Sequence, residues 1–425
     1  MTLEKGFYQR IDDHFSLHIA GDTKEVLSKL VELNTKVHGE IIRDYVENTF
    51  LRHPNKEKIL WLYIKNNNSD EIISSINIIP LEWEMKNLVL SICEMGFVGT
   101  LEKYRGKGFI GILNNLYEKI MKERGYIFSV IRGIPYYYRR LGYEFAIPLD
   151  ERITLPVDGI PNDDLGEIKI RKANQQDLEF IKDKYNQFHE NYFIRNKFDD
   201  DCFTYRFLND TFNDTVLSTF IIEDKEVPVA YFSLGMSHDN AAYSIYPSQL
   251  KSNHMIKILQ YINELNQRNE KTSNSNIPLH INYETDFGKY LVQLGGITHN
   301  TYGWWIKIPD LKLYFELIKP IIESRIKNSI FQGYSSKIII SNYSETVEII
   351  FQNGKISEIN STINNPNLEE CDVCCLGSIL NKLILCDKSM EEISYIIPDA
   401  MIKDSSKLLI ETIFPKKLSY PNSYI

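Results

Sequence analysis

One short segment, Phe97 to Gly111, constrains this 425-residue chain more than any other. An apolar run ends at Thr100, a basic glycine-rich turn follows at residues 105–108, and apolar residues then recur at helical spacing. A strand that passes into a helix through such a turn leaves backbone N–H groups unpaired and pointing at one spot. The helix dipole adds roughly half a positive charge there. The segment therefore predicts a turn that binds the pyrophosphate of a nucleotide-like ligand.

A dinucleotide is the first ligand class to consider. Gly106-x-Gly108-x-x-Gly111 spells the dinucleotide fingerprint, which also requires an acidic residue at the end of the next strand to bind a ribose. The next apolar run, Tyr126 to Ile131, ends in Arg132-Gly133 instead. The motif also lies near residue 100, which is unusual for a first βα unit. The residues around the turn therefore disfavour a dinucleotide.

The turn resembles the acyl-coenzyme A loop of the GNAT acetyltransferases, whose pattern is Arg/Gln-x-x-Gly-x-Gly/Ala. This chain departs from the pattern at its last position, where Ile110 stands and a glycine follows at 111. The same departure is typical of the Eis-like (enhanced intracellular survival) branch. A second segment, Tyr138 to Tyr143, is similar to the Tyr-x-Arg-x-Gly-Tyr segment that follows the next strand in that branch. The resemblance implies an acetyl-CoA-dependent N-acetyltransferase.

The resemblance also implies which residues bind acetyl-CoA. The loop would bind the pyrophosphate through backbone N–H groups, and the preceding strand would line the pantetheine arm. The implied cofactor-binding residues are Phe97, Val98, Gly99, Thr100, Arg105, Gly106, Lys107, Gly108, Phe109, Ile110, Gly111, Gly133, Ile134 and Arg140. No metal is implied. The acceptors implied by resemblance are amines, namely aminoglycosides, other polyamines or lysine side chains of proteins.

Proton transfer roles follow from the same resemblance. Tyr138 corresponds to the general acid that protonates the departing thiolate, and a phenol with a pKa of about 10 is protonated at neutral pH. In Eis-like enzymes the carboxylate of the chain's own C-terminus accepts the proton of the amine, and here that group belongs to Ile425. Glu94, on the strand facing the loop, is the alternative base. Neither motif places a Cys or Ser as a nucleophile, so we expect direct attack of the amine in a ternary complex.

Three domains are predicted, giving an α/β (α+β) protein with tandem GNAT folds followed by a sterol-carrier-like α+β domain. Residues 1–155 mix a helical segment, from Asp22 to about Leu51, with strands in the order of a GNAT domain. A linker is expected from Pro148 to Pro161. Residues 156–303 restart with a strand and helix but lack the Arg/Gln-x-x-Gly turn, which indicates a degenerate GNAT copy or an unrelated α/β domain. Residues 304–425 resemble the sterol-carrier-like domain of Eis-like proteins.

Composition narrows the function classes further. A formal net charge of −9 argues against a general nucleic-acid binder and is compatible with cationic amines as substrates. No apolar run approaches a membrane span and no secretory signal is visible, so we expect a cytoplasmic protein. Cys371-x-x-Cys374-Cys375 has no second pair at metal spacing, which favours buried core thiols over zinc. His14, His18 and His38 lie in no motif and are expected to be structural.

Other functions stay open at this level. A non-catalytic binding protein would use the loop as an acyl-CoA sensor and the third domain to bind a lipid. An enzyme for a longer acyl-CoA would differ only in the width of the pantetheine exit. A homo-oligomer is compatible with the sequence, since hexamers occur in the resembled family.

Overall fold

The computed structural model describes residues 3–134, 136–209, 215–237, 242–268, 275–363 and 367–422. Within these ranges the chain forms one fourteen-stranded sheet and one five-stranded sheet, with eleven α-helices packed against them. None of the helices in the described part of the chain has the length and apolar character to span a bilayer.

The first part of the chain places three helices among seven strands. The helical segment predicted from Asp22 to about Leu51 is interrupted, because Gly39 takes a φ of 93° and its N–H ends the first helix on the carbonyl of Thr35. The elements are β1 (Tyr8–Arg10), β2 (Phe15–Ile19), α1 (Lys24–His38), α2 (Ile42–Leu51), β3 (Leu60–Asn66), β4 (Glu71–Met85), β5 (Leu88–Thr100), α3 (Phe109–Arg124), β6 (Ser129–Ile131) and β7 (Glu144–Pro156).

The first and second parts share one order of elements, which is a strand, two helices, three antiparallel strands, a helix and a strand. One extra strand, β9, interrupts the helix pair and joins β4 of the first part. The elements are β8 (Ile168–Lys172), α4 (Leu178–His189), β9 (Ile194–Asn196), α5 (Asp200–Leu208), β10 (Thr215–Asp224), β11 (Val227–Ser237), β12 (Tyr243–Pro247), α6 (Ser252–Arg268), β13 (Asn276–Ile281), α7 (Asp286–Gln293) and β14 (Ile297–Lys307).

The two parts exchange their last strands. The strand order is β1-β2-β3-β4-β5-β6-β14-β7-β13-β12-β11-β10-β8, so β14 pairs with β6 and β7 pairs with β13. The linker predicted from Pro148 to Pro161 is therefore wrong over its first nine residues, which belong to β7. Ile153 and Leu155 are fully buried on that strand, and their burial outweighs the local proline, glycine and aspartate content. The domain boundaries at 155/156 and 303/304 stay predictions.

The third part packs onto the first through a shared apolar core. Trp83 and Phe128 of the first part and Trp304 of β14 are buried in the same cluster as the third part's helices. Cys371, Cys374 and Cys375 are buried free thiols, and no cluster in the described ranges groups three or more His, Cys, Asp or Glu for a metal. The elements are α8 (Leu311–Lys327), β15 (Lys337–Ser341), β16 (Glu345–Gln352), β17 (Lys355–Ile363), β18 (Val373–Cys374), α9 (Leu380–Ile384), α10 (Met390–Ile396), β19 (Met401–Ile402) and α11 (Lys407–Ile413).

Candidate active site

The predicted pyrophosphate turn joins β5 to α3. Gly106 and Gly108 have φ values of 77° and 79°, in the left-handed region that favours glycine. Gly108 is the N-cap of α3, and no side chain caps the helix. The N–H groups of the first helical turn are therefore available to a ligand, and the helix dipole favours an anion there. A Cβ at either glycine would meet no atom within 4 Å, so the backbone faces open space.

This turn forms one wall of a groove of about 720 Å³. Three cations, Arg105, Lys107 and Arg140, line the groove, and none of its described lining residues is acidic. The Arg140 guanidinium lies 3.8 Å from the ring centroid of Tyr137. The lining residues are Val37, His38, Val98, Gly99, Thr100, Tyr104, Arg105, Gly106, Lys107, Gly108, Phe109, Ile110, Gly111, Ile134, Tyr137, Tyr138, Arg140 and Leu141. The groove thus fits a ligand with phosphates at one end and an apolar arm.

Twelve of the fourteen predicted cofactor residues lie on this groove, and Phe97 and Gly133 lie behind it. The Phe97 ring is buried against Tyr45 and Trp61, at centroid distances of 4.7 and 4.8 Å. Gly133 lies under the ring of Tyr138, because a Cβ at 133 would stand 2.2 Å from Cδ2 of that tyrosine. These two residues therefore shape the groove from beneath its surface.

A break in strand pairing opens the groove toward the sheet. β5 and β6 pair in parallel only at Cys93–Ser129 and Glu94–Val130. The β4–β5 register shifts between Ser75 and Asn77, where Phe97 takes a φ of 47°. Such a bulge bends the strand and frees backbone groups from the ladder. Beyond Phe97, Gly99 and Thr100 stay paired with β4 but have no β6 partner among the described residues, and both line the groove.

Tyr138 lines the groove and is the first residue of a short 3₁₀ helix. Its side chain is buried, with an exposed fraction of 7%. Burial raises the pKa of the Tyr138 phenol well above its ordinary value, and the neighbouring Tyr137 and Tyr302 act in the same direction. The hydroxyl therefore remains protonated at neutral pH and is able to donate a proton.

Glu94 is buried on β5, two residues before Gly96. Its Oε1 accepts a hydrogen bond from Nε of Arg132 at 3.2 Å, and Nη2 of Arg132 donates to the hydroxyl of Tyr45 at 3.3 Å. Glu94 is thus a carboxylate within a buried polar network on the sheet face that α1 and α2 cover. This network places a base candidate near the point where β5 and β6 separate.

The C-terminal tail is anchored on β9 and β14 as far as Asn422. The backbone N–H of Tyr420 donates to the carbonyl of Ile194 at 2.8 Å, and Trp304 Nε1 donates to the carbonyl of Pro421 at 2.7 Å. Asn196 Nδ2 donates to the carbonyl of Asn422 at 3.0 Å. Ile425, whose carboxylate is the predicted base, lies outside the described residues.

A second cavity, of about 270 Å³, lies beside this tail. It fills a gap along β4, which pairs with β3 as far as Ile78 and with β9 only from Trp83 onward. Its lining residues are His53, Pro54, Asn55, Lys58, Pro80, Leu81, Glu82, Trp83, Ser91, Arg124, Tyr126, Asn196, Lys197, Phe198, Asp199, Cys202, Tyr205, Arg206, Trp304 and Asn422. No local sequence pattern indicates this cavity, because its walls come from segments far apart in the chain.

His53 presents a hydrogen-bond donor at the second cavity. Its Nδ1 accepts the backbone N–H of Asn55 at 2.9 Å, so in the neutral ring the proton resides on Nε2. Burial lowers the pKa of His53 to about 4, and the ring is therefore neutral at physiological pH. His38, which the sequence analysis treated as structural, lines the first groove. No motif surrounds either histidine, so no local signal identifies them.

Comparisons with known proteins agree on one fold. Residues 29–146 match the model of an acetyltransferase (GNAT) domain. No curated protein matches the sequence. A GCN5-related N-acetyltransferase from Anabaena variabilis has a similar structure, with a TM-score of 0.67 at 13% identity, covering 95% of this chain and 99% of that one. The mixed α/β fold class with GNAT-like folds is thus confirmed.

Two further solved structures are similar over nearly the full chain. A probable N-acyltransferase from Enterococcus faecalis has a TM-score of 0.68 at 13% identity, over 97% of this chain and 100% of that one. Eis1 from Mycobacterium abscessus has a TM-score of 0.62 at 10% identity, over 96% and 100%. At such identities these likenesses show a shared fold.

Proposed function

We propose that this chain, whose residues 29–146 form a GNAT acetyltransferase domain, transfers an acetyl group from acetyl-CoA to a primary amine by direct attack. The observation that carries the proposal is the groove itself, where the uncapped helix N-terminus and the hydroxyl-bearing Tyr138 face the same space. The first feature binds phosphates and the second donates a proton. That the chain is an acetyltransferase follows from its domain, whereas the acceptor and the proton route are our proposal.

The residues at the groove fit acetyl-CoA by charge and shape. The loop from Gly106 to Gly111 would bind the pyrophosphate through backbone N–H groups, with Arg105, Lys107 and Arg140 adding positive charge. The strand from Phe97 to Thr100 and Ile134 would contact the pantetheine arm. Acetyl-CoA supplies the thioester, and the protein positions it and the amine and moves the protons. Tyr138 would protonate the departing thiolate.

Two groups are proposed as the base. The terminal carboxylate of Ile425 is the first, since the tail is anchored beside the catalytic domain as far as Asn422, three residues earlier. At about 3.3 Å per extended residue, three residues reach about 10 Å. Glu94 is the alternative, because its carboxylate lies within the buried network at the strand separation.

Gly108→Ala tests the cofactor site, with Gly125→Ala as its matched control. Both glycines take a left-handed φ, of 79° and 69°, and both have open space around a new Cβ. They cap opposite ends of α3. We expect both variants to lose about 1 kcal/mol of stability from the strained φ. Only Gly108→Ala should weaken acetyl-CoA binding, by about tenfold or more in calorimetry; equal affinities in the two variants would contradict the proposed site.

The second cavity is where we place the acceptor. Its described lining residues include four cations, Lys58, Arg124, Lys197 and Arg206, against the two carboxylates of Glu82 and Asp199. This wall disfavours a polycation, although the net charge of the whole chain suggested one. An amine that also carries an acidic group fits the local charge better.

A matched pair of amines tests this placement. Lysine and cadaverine have the same five-carbon diamine framework, and lysine adds a carboxylate. We expect kcat/KM for lysine to exceed that for cadaverine by about threefold or more, since a partly exposed ion pair contributes up to about 1 kcal/mol. Free-thiol release from acetyl-CoA measures both rates. A preference for cadaverine would contradict this placement. The acceptor would then bind elsewhere, or the overall negative charge of the chain would determine which amine is preferred.

For the third part we propose a sterol-carrier-like domain that supplies the C-terminal tail. A lipid-binding protein without catalysis is the alternative function. If acetyl-CoA binds and no amine in a broad panel drives thiol release, that alternative replaces the acetyltransferase proposal.

A further inference from the structure

Lys307, the last residue of β14, connects two elements of the candidate active site. β14 belongs to the second part of the chain and pairs with β6 of the first part, where Lys307 lies opposite Ser129. Only 16% of the lysine side chain is exposed. Removing an ammonium group from water costs free energy unless polar partners compensate it. The partners of Lys307 therefore indicate what this side chain does.

The first partner is the backbone of the short 3₁₀ helix that begins at the proposed acid, Tyr138. Nζ of Lys307 donates to the carbonyl of Leu141 at 2.7 Å. Leu141 is the last residue of this helix, and the last carbonyls of a helix have no partner within it. Gly142 follows, and a Cβ there would stand 3.3 Å from Cε of Lys307, so the lysine side chain packs directly on the glycine. Lys307 thus closes the end of the turn that carries Tyr138.

The second partner is Glu118 of α3, the helix that begins at the cofactor loop. Nζ of Lys307 donates to Oε1 of Glu118, and the same oxygen accepts a hydrogen bond from Nδ2 of Asn114 at 2.6 Å. A hydrogen bond between two charged groups is stronger than one between neutral groups. The ammonium group consequently joins the helix whose N-terminus faces the proposed pyrophosphate site to the turn that carries the proposed acid.

Tyr143 provides a further connection between Lys307 and Tyr138. Its backbone N–H donates to the carbonyl of Tyr138 at 3.2 Å, and the two rings meet edge to face at a centroid distance of 6.2 Å. Nζ of Lys307 lies 5.9 Å from the centroid of the Tyr143 ring. Lys307 is not among the described residues that line the cofactor groove. It therefore acts on Tyr138 through the turn and not on a ligand in the groove.

We propose that Lys307 is a positioning residue, which fixes the turn of Tyr138 to α3 and so holds the phenol at the departing sulfur; this proposal rests on the proposed acetyltransferase function. In the reaction the C–N bond forms as the C–S bond breaks, and the thiolate takes the proton of Tyr138. A general acid is effective only within hydrogen-bond reach of the atom that it protonates. A misplacement of about 1 Å costs about 100-fold in rate. The second part of the chain thus contributes a residue that the site of the first part needs.

Lys307→Met tests this role, because methionine keeps much of the side-chain length and removes the ammonium group. We expect kcat to fall about tenfold, a smaller loss than removal of the acid itself causes. The affinity for acetyl-CoA and the KM for the amine should stay unchanged. In the Tyr138→Phe background the same substitution should change kcat by less than about twofold, because no acid is left to position. Lys307→Arg keeps a cationic donor and should retain kcat within about threefold of wild type.

Lys182→Met is the matched control. The side chain of Lys182 is 15% exposed, and its Nζ joins Glu179 and Asp200 of the second part, at 2.8 Å each. The control therefore removes an ammonium group of equal burial that also joins two elements. We expect a loss of thermal stability similar to that of Lys307→Met and an unchanged kcat. Equal losses of kcat in the two variants would assign Lys307 a structural role only.

Glu118→Met serves if Lys307→Met does not fold, because the side chain of Glu118 is 40% exposed and its replacement disturbs the core little. It removes the α3 end of the bridge, and we expect kcat to fall about threefold or more. A wild-type kcat in either folded variant would overturn the proposal, as would an equal effect of Lys307→Met with and without the Tyr138 hydroxyl. Wild-type protein that binds acetyl-CoA but acetylates no amine would remove the proposed function itself, and this proposal with it.

Discussion

Tyr138→Phe is expected to lower kcat by about 10²–10⁴-fold, the usual contribution of a positioned proton donor. The substitution removes only the hydroxyl, and the ring keeps its place on Gly133, where no larger residue fits. Acetyl-CoA affinity and thermal stability should therefore stay near their wild-type values. Free-thiol release with the best amine of the panel measures kcat, and calorimetry measures acetyl-CoA binding. In wild-type protein the raised pKa of Tyr138 keeps the acid protonated, so its titration should not limit the rate near neutral pH.

Tyr137→Phe is the control for this experiment. Tyr137 lines the same groove, and its ring lies under the Arg140 guanidinium, a contact that phenylalanine preserves. We expect the control to keep kcat within about threefold. Equal losses in both variants would indicate a disturbed groove, and a fully active Tyr138→Phe would remove the assignment of the acid.

Deleting Ser423, Tyr424 and Ile425 is expected to lower kcat by a similar factor, about 10²–10⁴-fold, because the deletion moves the terminal carboxylate away from the proposed site. The anchors of the tail remain, since Pro421 still accepts from Trp304 and Asn422 from Asn196. Stability should therefore fall little. Thiol release and a thermal melt measure the two effects.

A lengthened chain provides the sharper version of this experiment. Adding Gly-Ser after Ile425 keeps every side chain and converts the terminal carboxylate of Ile425 into a peptide group. We expect the lengthened and shortened chains to lose similar activity. If both remain active while Tyr138→Phe does not, the base is assigned to Glu94, and Glu94→Gln becomes the variant to measure.

The local sequence was sufficient to predict the glycine-rich turn that joins a strand to a helix. This turn is short, and its conformation depends on neighbours in the chain: two glycines adopt left-handed φ values, and a strand leads directly into a helix. Twelve of the predicted cofactor residues consequently lie on one groove. The roles assigned to Tyr138, Ile425 and the cofactor residues stay predictions until the variants above are measured.

The other features of the fold and of the site depend on pairing between strands that are far apart in the chain. Local sequence patterns do not indicate such pairing. The exchange of β7 and β14 turned a predicted linker into a strand, because partners over 100 residues away bury Ile153 and Leu155. The second cavity lies where β3 and β9 leave one edge of β4 without a neighbouring strand. In the sequence, Asn77 resembles an ordinary polar residue in an apolar strand. The structure pairs it with Gly96 beside the bulge, where neither polar atom of its side chain has a hydrogen-bond partner among the described residues. Burial and hydrogen-bond satisfaction depend on which strands meet, and they are therefore properties of the tertiary structure.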